Sequence, residues 1–189
     1  MHEKRMLAIL GSPHTDGITA AMFNCALQSA EKTGYQITKV HLYEKELLFC
    51  QGCRICLRTG NCILQDDIQE IAAALRQCQV VLLAAPVYWA NVPAPVKNLF
   101  DRLLGTAIEE TVTFPKPRLR GKQYMLLTSC NTPAPFSWLF GQSTKALRSM
   151  EEFFKTAGMK PIGKIVCSGT AAKKELPEHL FEKIWRCLK

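Results

Sequence analysis

Cys50, Cys53, Cys56 and Cys62 follow one another as Cys-x2-Cys-x2-Cys-x5-Cys. Thiolates this close converge on one centre where the chain bends tightly, and Gly52, Gly60 and Asn61 supply the bends. Ferredoxin-type clusters use a similar three-cysteine run, although their fourth ligand can belong to another cluster. Here Cys62 follows closely enough to complete a single four-iron site. Zinc also accepts four cysteines, but structural zinc sites usually divide into two pairs. Free thiols without metal are the other alternative. Arg54 and Arg58 add positive charge beside the motif, which offsets the negative charge of a thiolate-bound centre.

Three further segments have the composition of ligand loops. Gly11-Ser12-Pro13-His14-Thr15-Asp16-Gly17-Ile18-Thr19 runs from an apolar strand into a helix. Backbone N–H groups, hydroxyls and a helix dipole there suit a phosphate. An ordinary turn capped by Thr19 or Asp16 is the plainer alternative. Neither a Walker A loop nor G-x-G-x-x-G is present, so a single phosphate monoester fits best. Pro86-Val87-Tyr88-Trp89-Ala90-Asn91 carries two aromatics after another apolar strand, which suits a flat ring. Covering the core or contacting a second subunit is the alternative role for Tyr88 and Trp89. Ser129-Cys130-Asn131-Thr132-Pro133-Ala134-Pro135 is small and polar.

These segments need elements to position them. Residues 6–10, 36–43, 80–85, 123–128 and 161–168 read as strands, and 19–32, 68–77, 94–104, 137–157 and 177–188 as helices. Alternation of strands and helices, with 6–10 and 80–85 wholly apolar and 36–43 alternating polar and apolar, predicts an α/β fold, a flavodoxin-like doubly wound five-stranded parallel sheet in order 2-1-3-4-5 with helices on both faces. Ligands then bind beyond the carboxyl ends of the strands, where the loops at 11–19, 86–94 and 129–137 fall. Residues 1–189 read as one domain with a cysteine-rich insertion at about 44–65.

The whole pattern resembles the flavodoxin-like NADPH-dependent FMN reductase and iron-sulfur flavoprotein families. The first loop is similar to their FMN-phosphate loop, with His14 where Arg is usual and Ile18 where Asn is usual. Residues 85–94 and the helix through Lys97 to Asp101 are similar to their isoalloxazine loop. The cysteine spacing resembles the compact motif of the iron-sulfur members and lies in the same place. The resemblance implies that Ser12, Pro13, His14, Asp16, Gly17, Ile18 and Thr19 hold the phosphate of FMN. It implies that Pro86, Val87, Tyr88, Trp89 and Asn91, with Ser129, Cys130 and Asn131, border the ring. It implies a [4Fe-4S] cluster on Cys50, Cys53, Cys56 and Cys62 and NAD(P)H as co-substrate. A ferredoxin-like carrier as partner and a homodimer or homotetramer are further implications. Hydride transfer to a flavin needs stacked rings more than a protein acid or base, so no catalytic side chain is expected. A flavin-loaded redox sensor, or a metal-thiolate module docking on a partner, is the non-enzymatic alternative.

Composition narrows the field. The 189 residues carry 24 Lys plus Arg against 16 Asp plus Glu, a net charge of +8. The basic residues are dispersed apart from Lys116 to Lys122, and no nucleic-acid motif is present. The longest apolar run, Val80 to Ala90, is broken by Pro86, too short for a membrane span of about 20 residues. The segment before Gly11 lacks the apolar length of a secretion leader. With nine cysteines, an odd number, a disulfide framework is disfavoured. The expected location is cytoplasmic. His2, His14, His41 and His179 are scattered, and only His14 lies on a candidate loop. Neither a Cys-x5-Arg phosphatase loop nor a serine triad signature occurs.

Overall fold

Strands buried on both faces must be apolar at nearly every position, and the three central strands of this protein's sheet are of that kind, while its two edge strands are partly exposed. A computed structural model describes residues 3–189. Met1 and His2, which open the segment read above as too short for a leader, lie outside the described residues. The chain runs β1 (Lys4–Leu10), α1 (Ile18–Lys32), β2 (Tyr35–His41), α2 (Ile55–Thr59), α3 (Ile68–Gln77), β3 (Val80–Pro86), α4 (Ala94–Arg102) and α5 (Leu104–Ala107). It continues with β4 (Ile108–Glu109), β5 (Lys116–Pro117), β6 (Gln123–Cys130), α6 (Phe136–Leu139), α7 (Gln142–Thr156), β7 (Lys160–Ser168) and α8 (Glu178–Cys187).

The five long strands form one sheet in the order β2-β1-β3-β6-β7, parallel throughout. Counting only its members, this is the order 2-1-3-4-5 expected above. Alternate residues of β1 serve opposite faces. Leu7 and Ile9 pack with α3, α4 and α7. Met6, Ala8 and Leu10 pack with α1 and α8. Fully burying each Leu or Val contributes roughly 1.5–3 kcal/mol, so the two covered faces, rather than local propensity, hold the sheet.

Three departures from the sequence reading have physical causes. The helix expected over 137–157 is two helices, α6 and α7, parted at Gly141, whose φ of 72° lies in the left-handed region. The helix expected over 94–104 stops at Arg102, and α5 follows separately. The connection at 44–65 contains α2, entered through Arg54 at φ 61° and left through Gly60 at φ 79°. The two-residue strands β4 and β5 pair antiparallel outside the main sheet and are too short to leave a periodic signal.

Both candidate sites lie past carboxyl ends of strands. The three loops follow β1, β3 and β6, and the cysteine segment follows β2. Helix α4 spans between them. Gly11 lies against its first turn, where a Cβ would come within 2.3 Å of Val96 Cγ2. Arg102 ends it among the cysteines. At 1.5 Å per residue, Val96 and Arg102 are about 9 Å apart along the helix axis.

Candidate functional site

Hydrogen bonds tie the three loops into one edge. The Gly11 N–H donates to Ala84 O at 2.8 Å, joining the first loop to β3. The Val87 N–H donates to Ser129 O at 2.8 Å, joining the second to the third. Thr19 Oγ1 and Ser129 Oγ lie 2.6 Å apart and buried, joining the first to the third. One of these hydroxyls donates to the other, which leaves the second O–H free to donate elsewhere.

Helix α1 begins without a side-chain cap. Its N-cap is Gly17, and its first turn holds no acidic residue. This corrects the alternative of a turn capped by Thr19 or Asp16: the Thr19 hydroxyl is engaged with Ser129 instead. The first N–H groups of α1 are therefore left without a capping side chain, and the dipole of a 15-residue helix favours an anion there. Ser12 is buried, and its Oγ accepts from the His14 N–H at 3.2 Å. Pro13, His14 and Asp16 are exposed around it. Ile18 is buried, so only its backbone serves the loop.

The second loop is a tight hairpin. The N–H groups of Tyr88 and Asn91 each donate to the other's carbonyl at 2.9 Å. The two residues between them take positive φ, 52° at Trp89 and 58° at Ala90. Non-glycine residues held in this region cluster at functional sites. Trp89 is fully exposed, and Tyr88 41% exposed. Asn91 Oδ1 accepts from the Val92 N–H at 2.8 Å. The N–H groups of Trp89 and Ala90 have no protein acceptor among the described residues. In the third loop Cys130 is buried with its sulfur 3.6 Å from Gln142 Oε1. Asn131 Oδ1 accepts from the Thr170 hydroxyl at 2.8 Å. The turn at Gly169 and Thr170 also belongs to this edge, since the Gly169 N–H donates to Thr132 O at 3.0 Å. The sequence reading passed it over, and no local motif marks it.

All four cysteines of the motif line one cavity of about 50 Å³, together with Arg102, Asp101, Leu104 and Leu64, room for several water-sized spheres. Cys50 and Cys53 are exposed, Cys56 and Cys62 partly covered. Burial pushes the Cys56 thiol up, the Gly105 N–H pulls it down, and Cys62, Cys50 and Cys53 push it further up. Gly105 admits this arrangement, because a Cβ there would fall 2.1 Å from Cys56 O.

The cavity wall is held by side chains reaching in from helices. Asn98 Nδ2 donates to Leu47 O and Leu48 O, each at 3.2 Å. Gln69 Nε2 donates to Leu64 O at 2.7 Å. Arg76 Nη2 donates to Gly60 O at 2.7 Å. Arg102, with a wholly buried side chain, pairs with Asp66 at 2.7 and 3.0 Å. Burial acts to raise the Asp66 carboxyl, but Arg102 and the N–H groups of Ile68 and Leu48 outweigh it and hold it below the usual carboxylate value. Neither Asn98 nor Arg102 was singled out from sequence. Arg54 pairs with Glu110 rather than facing the thiols alone. Among the described residues no three His, Cys, Asp or Glu groups close on a single-ion site. No helix among them is long and apolar enough to cross a membrane.

The model of a family with a flavodoxin-like fold matches residues 4–185. An iron-sulfur flavoprotein of Archaeoglobus fulgidus is 38% identical over 100 residues, 53% of this chain and 46% of that protein. The chain spans about half the length of the first curated relatives it matches. Among solved structures, the NAD(P)H:quinone oxidoreductase from Methanothermobacter marburgensis superposes with a TM-score of 0.77 at 16% identity, over 99% of this chain and 96% of that one. An FMN-dependent NADH-azoreductase from Bacillus anthracis, in complex with FMN, gives 0.74 at 15% identity over 98% and 95%. At such identities the two structures show a shared fold. The match over residues 4–185 and the β2-β1-β3-β6-β7 sheet place this chain in the family of proteins with a flavodoxin-like fold.

Proposed function

We propose that the chain is an FMN-dependent oxidoreductase. It moves electrons from NAD(P)H, or from a reduced ferredoxin-like carrier, to a small-molecule acceptor, through FMN and a [4Fe-4S] cluster on Cys50, Cys53, Cys56 and Cys62. The observation that carries the reading is that an uncapped helix start and a four-cysteine cavity lie past the same ends of one sheet, joined by α4. The names of the relatives support it.

Bound FMN supplies the hydride and electron chemistry. The protein binds and orients. The first N–H groups of α1 would hold the phosphate, and the free O–H of the Thr19–Ser129 pair would add a donor. Ser12 shapes the loop that surrounds it. The unpaired N–H groups of Trp89 and Ala90 suit the polar edge of the ring, with Tyr88 and Trp89 beside its face. No side chain is required to carry a proton. The four cysteines line one cavity, and their spacing is similar to the compact motif of iron-sulfur flavoproteins, which supports a multi-iron cluster on them. The exposed Trp89, Phe136, Trp138, Leu139 and Phe140 support a homodimer or homotetramer that covers this edge.

Steady-state oxidation of NADH and NADPH by the FMN-loaded protein, with a quinone and a dye as acceptors, tests the enzymatic reading. Turnover that depends on bound FMN is the expected result. FMN binding without turnover on any acceptor would leave a sensor or docking module instead.

A further inference from the structure

We infer that Arg102 is a positioning residue for the cysteine centre: it fixes Cys62 through an N–H···S hydrogen bond and raises the reduction potential of the bound cluster. This rests on the cluster reading proposed above.

A guanidinium has five N–H donors in one plane. In Arg102 each of them has a partner. Nη1 donates to Asp66 Oδ2 at 2.7 Å and to Leu48 O. Nη2 donates to Asp66 Oδ1 at 3.0 Å and to Leu64 O at 3.1 Å. Nε donates to Cys62 Sγ at 3.2 Å. Four acceptors are oxygens of the segment that carries the cysteines, and the fifth is one of its sulfurs. The two-point contact with Asp66 sets the plane of the fork, and Asp66 is itself anchored by the N–H groups of Leu48 at 2.8 Å and Ile68 at 3.0 Å. The Nε–H is thereby aimed at Cys62 by protein contacts alone. A buried cation donating to a ligand sulfur stabilises the more negative, reduced state of a cluster, so the potential rises. Lysine has no planar fork and cannot hold both Asp66 oxygens while reaching the sulfur.

Two variants test this, because loss of Arg102 alone leaves a buried carboxylate unpaired. Arg102→Lys keeps a positive charge beside Asp66. The double variant Asp66→Asn with Arg102→Gln removes both charges together. Full-length wild type and variants are reconstituted anaerobically with iron and sulfide. FMN content and circular dichroism establish that they fold. Cluster release to a chelator and the reduction potential are then measured. Expected are release about 10- to 100-fold faster and a more negative potential in whichever variant folds. Wild-type release and potential in a folded, FMN-loaded variant would overturn the inference. A wild type that takes up no iron and sulfide would instead overturn the cluster reading beneath it.

Discussion

The loop edge past β1, β3 and β6 and the cysteine cavity leave the same side of the sheet, yet different bonds hold them. At the loop edge the loops are joined by backbone pairing that extends the strands, with one buried hydroxyl pair, Thr19 with Ser129. Their tips, Trp89 above all, stand in solvent. In the cysteine cavity the backbone has little ladder to join. Side chains from α3 and α4 reach across to carbonyls of the loop, and a buried ion pair anchors it. The first region is a rim that the sheet produces as it ends. The second is a loop that must be clamped, and its shape depends on a few polar side chains. Changes at the rim should therefore act on ligand affinity, and changes at the clamp on stability and metal retention.

The largest contrast comes from Arg102→Met. It strands the buried Asp66 carboxylate, so unfolding free energy should drop by about 3–5 kcal/mol in denaturant titrations, while the folded fraction keeps its FMN. The same pair has an acid limb. The folded carboxyl titrates below its unfolded value of about 3.9, so its stabilisation is complete above that pH and is lost as pH falls through the lowered folded value. Asp66→Asn should flatten that limb. Equal pH slopes for wild type and variant would show that Asp66 does not carry it.

Ser12→Ala with Thr19→Ala acts on the other region. Hydrogen bonds to a charged group contribute about 1.5–3 kcal/mol, so FMN affinity should weaken roughly tenfold to a hundredfold, read by flavin fluorescence titration. Loss of the buried Thr19–Ser129 hydrogen bond should also cost about 1–3 kcal/mol of stability, while iron content should change little. Gly105→Ala drives a Cβ into the Cys56 carbonyl and should cost about 1–3 kcal/mol, with iron uptake impaired and FMN binding intact. The smallest effect belongs to Trp89→Gly. It relieves a left-handed non-glycine residue at an exposed tip, so stability should shift by no more than about 1 kcal/mol upward. Light scattering should nonetheless register weaker self-association if Trp89 lies between copies.

The contrast also decides what was legible in the sequence. Val80–Ala85, apolar at every position, announces a strand covered on both faces, as does Met6–Leu10, and with the alternating strand at 36–43 and the strands at 123–128 and 161–168 it indicates the sheet and the three loops at its carboxyl ends. The cysteine spacing announces a shared cavity because its four residues are neighbours in the chain. The clamp is a different matter. Arg102 and Asp66 are 36 residues apart, and within the helical pattern Arg102 reads as an ordinary solvent-facing end of α4. Asp66 reads as a helix-start charge, which it is, since its Oδ1 accepts from the Ile68 N–H. Its second role needs the fold. The break at Gly141 inside 137–157 shows only in its left-handed φ of 72°, because apolar spacing continues on either side of it.

The ultraviolet–visible spectrum of the anaerobically purified chain, with iron, sulfide and flavin assayed on the same sample, tests both regions at once. Flavin bands over a broad iron-sulfur absorption, with about four irons per chain, are the expected result. A colourless protein that fails to take up added FMN would contradict the flavin edge, and flavin bands without iron would contradict the cluster on Cys50, Cys53, Cys56 and Cys62.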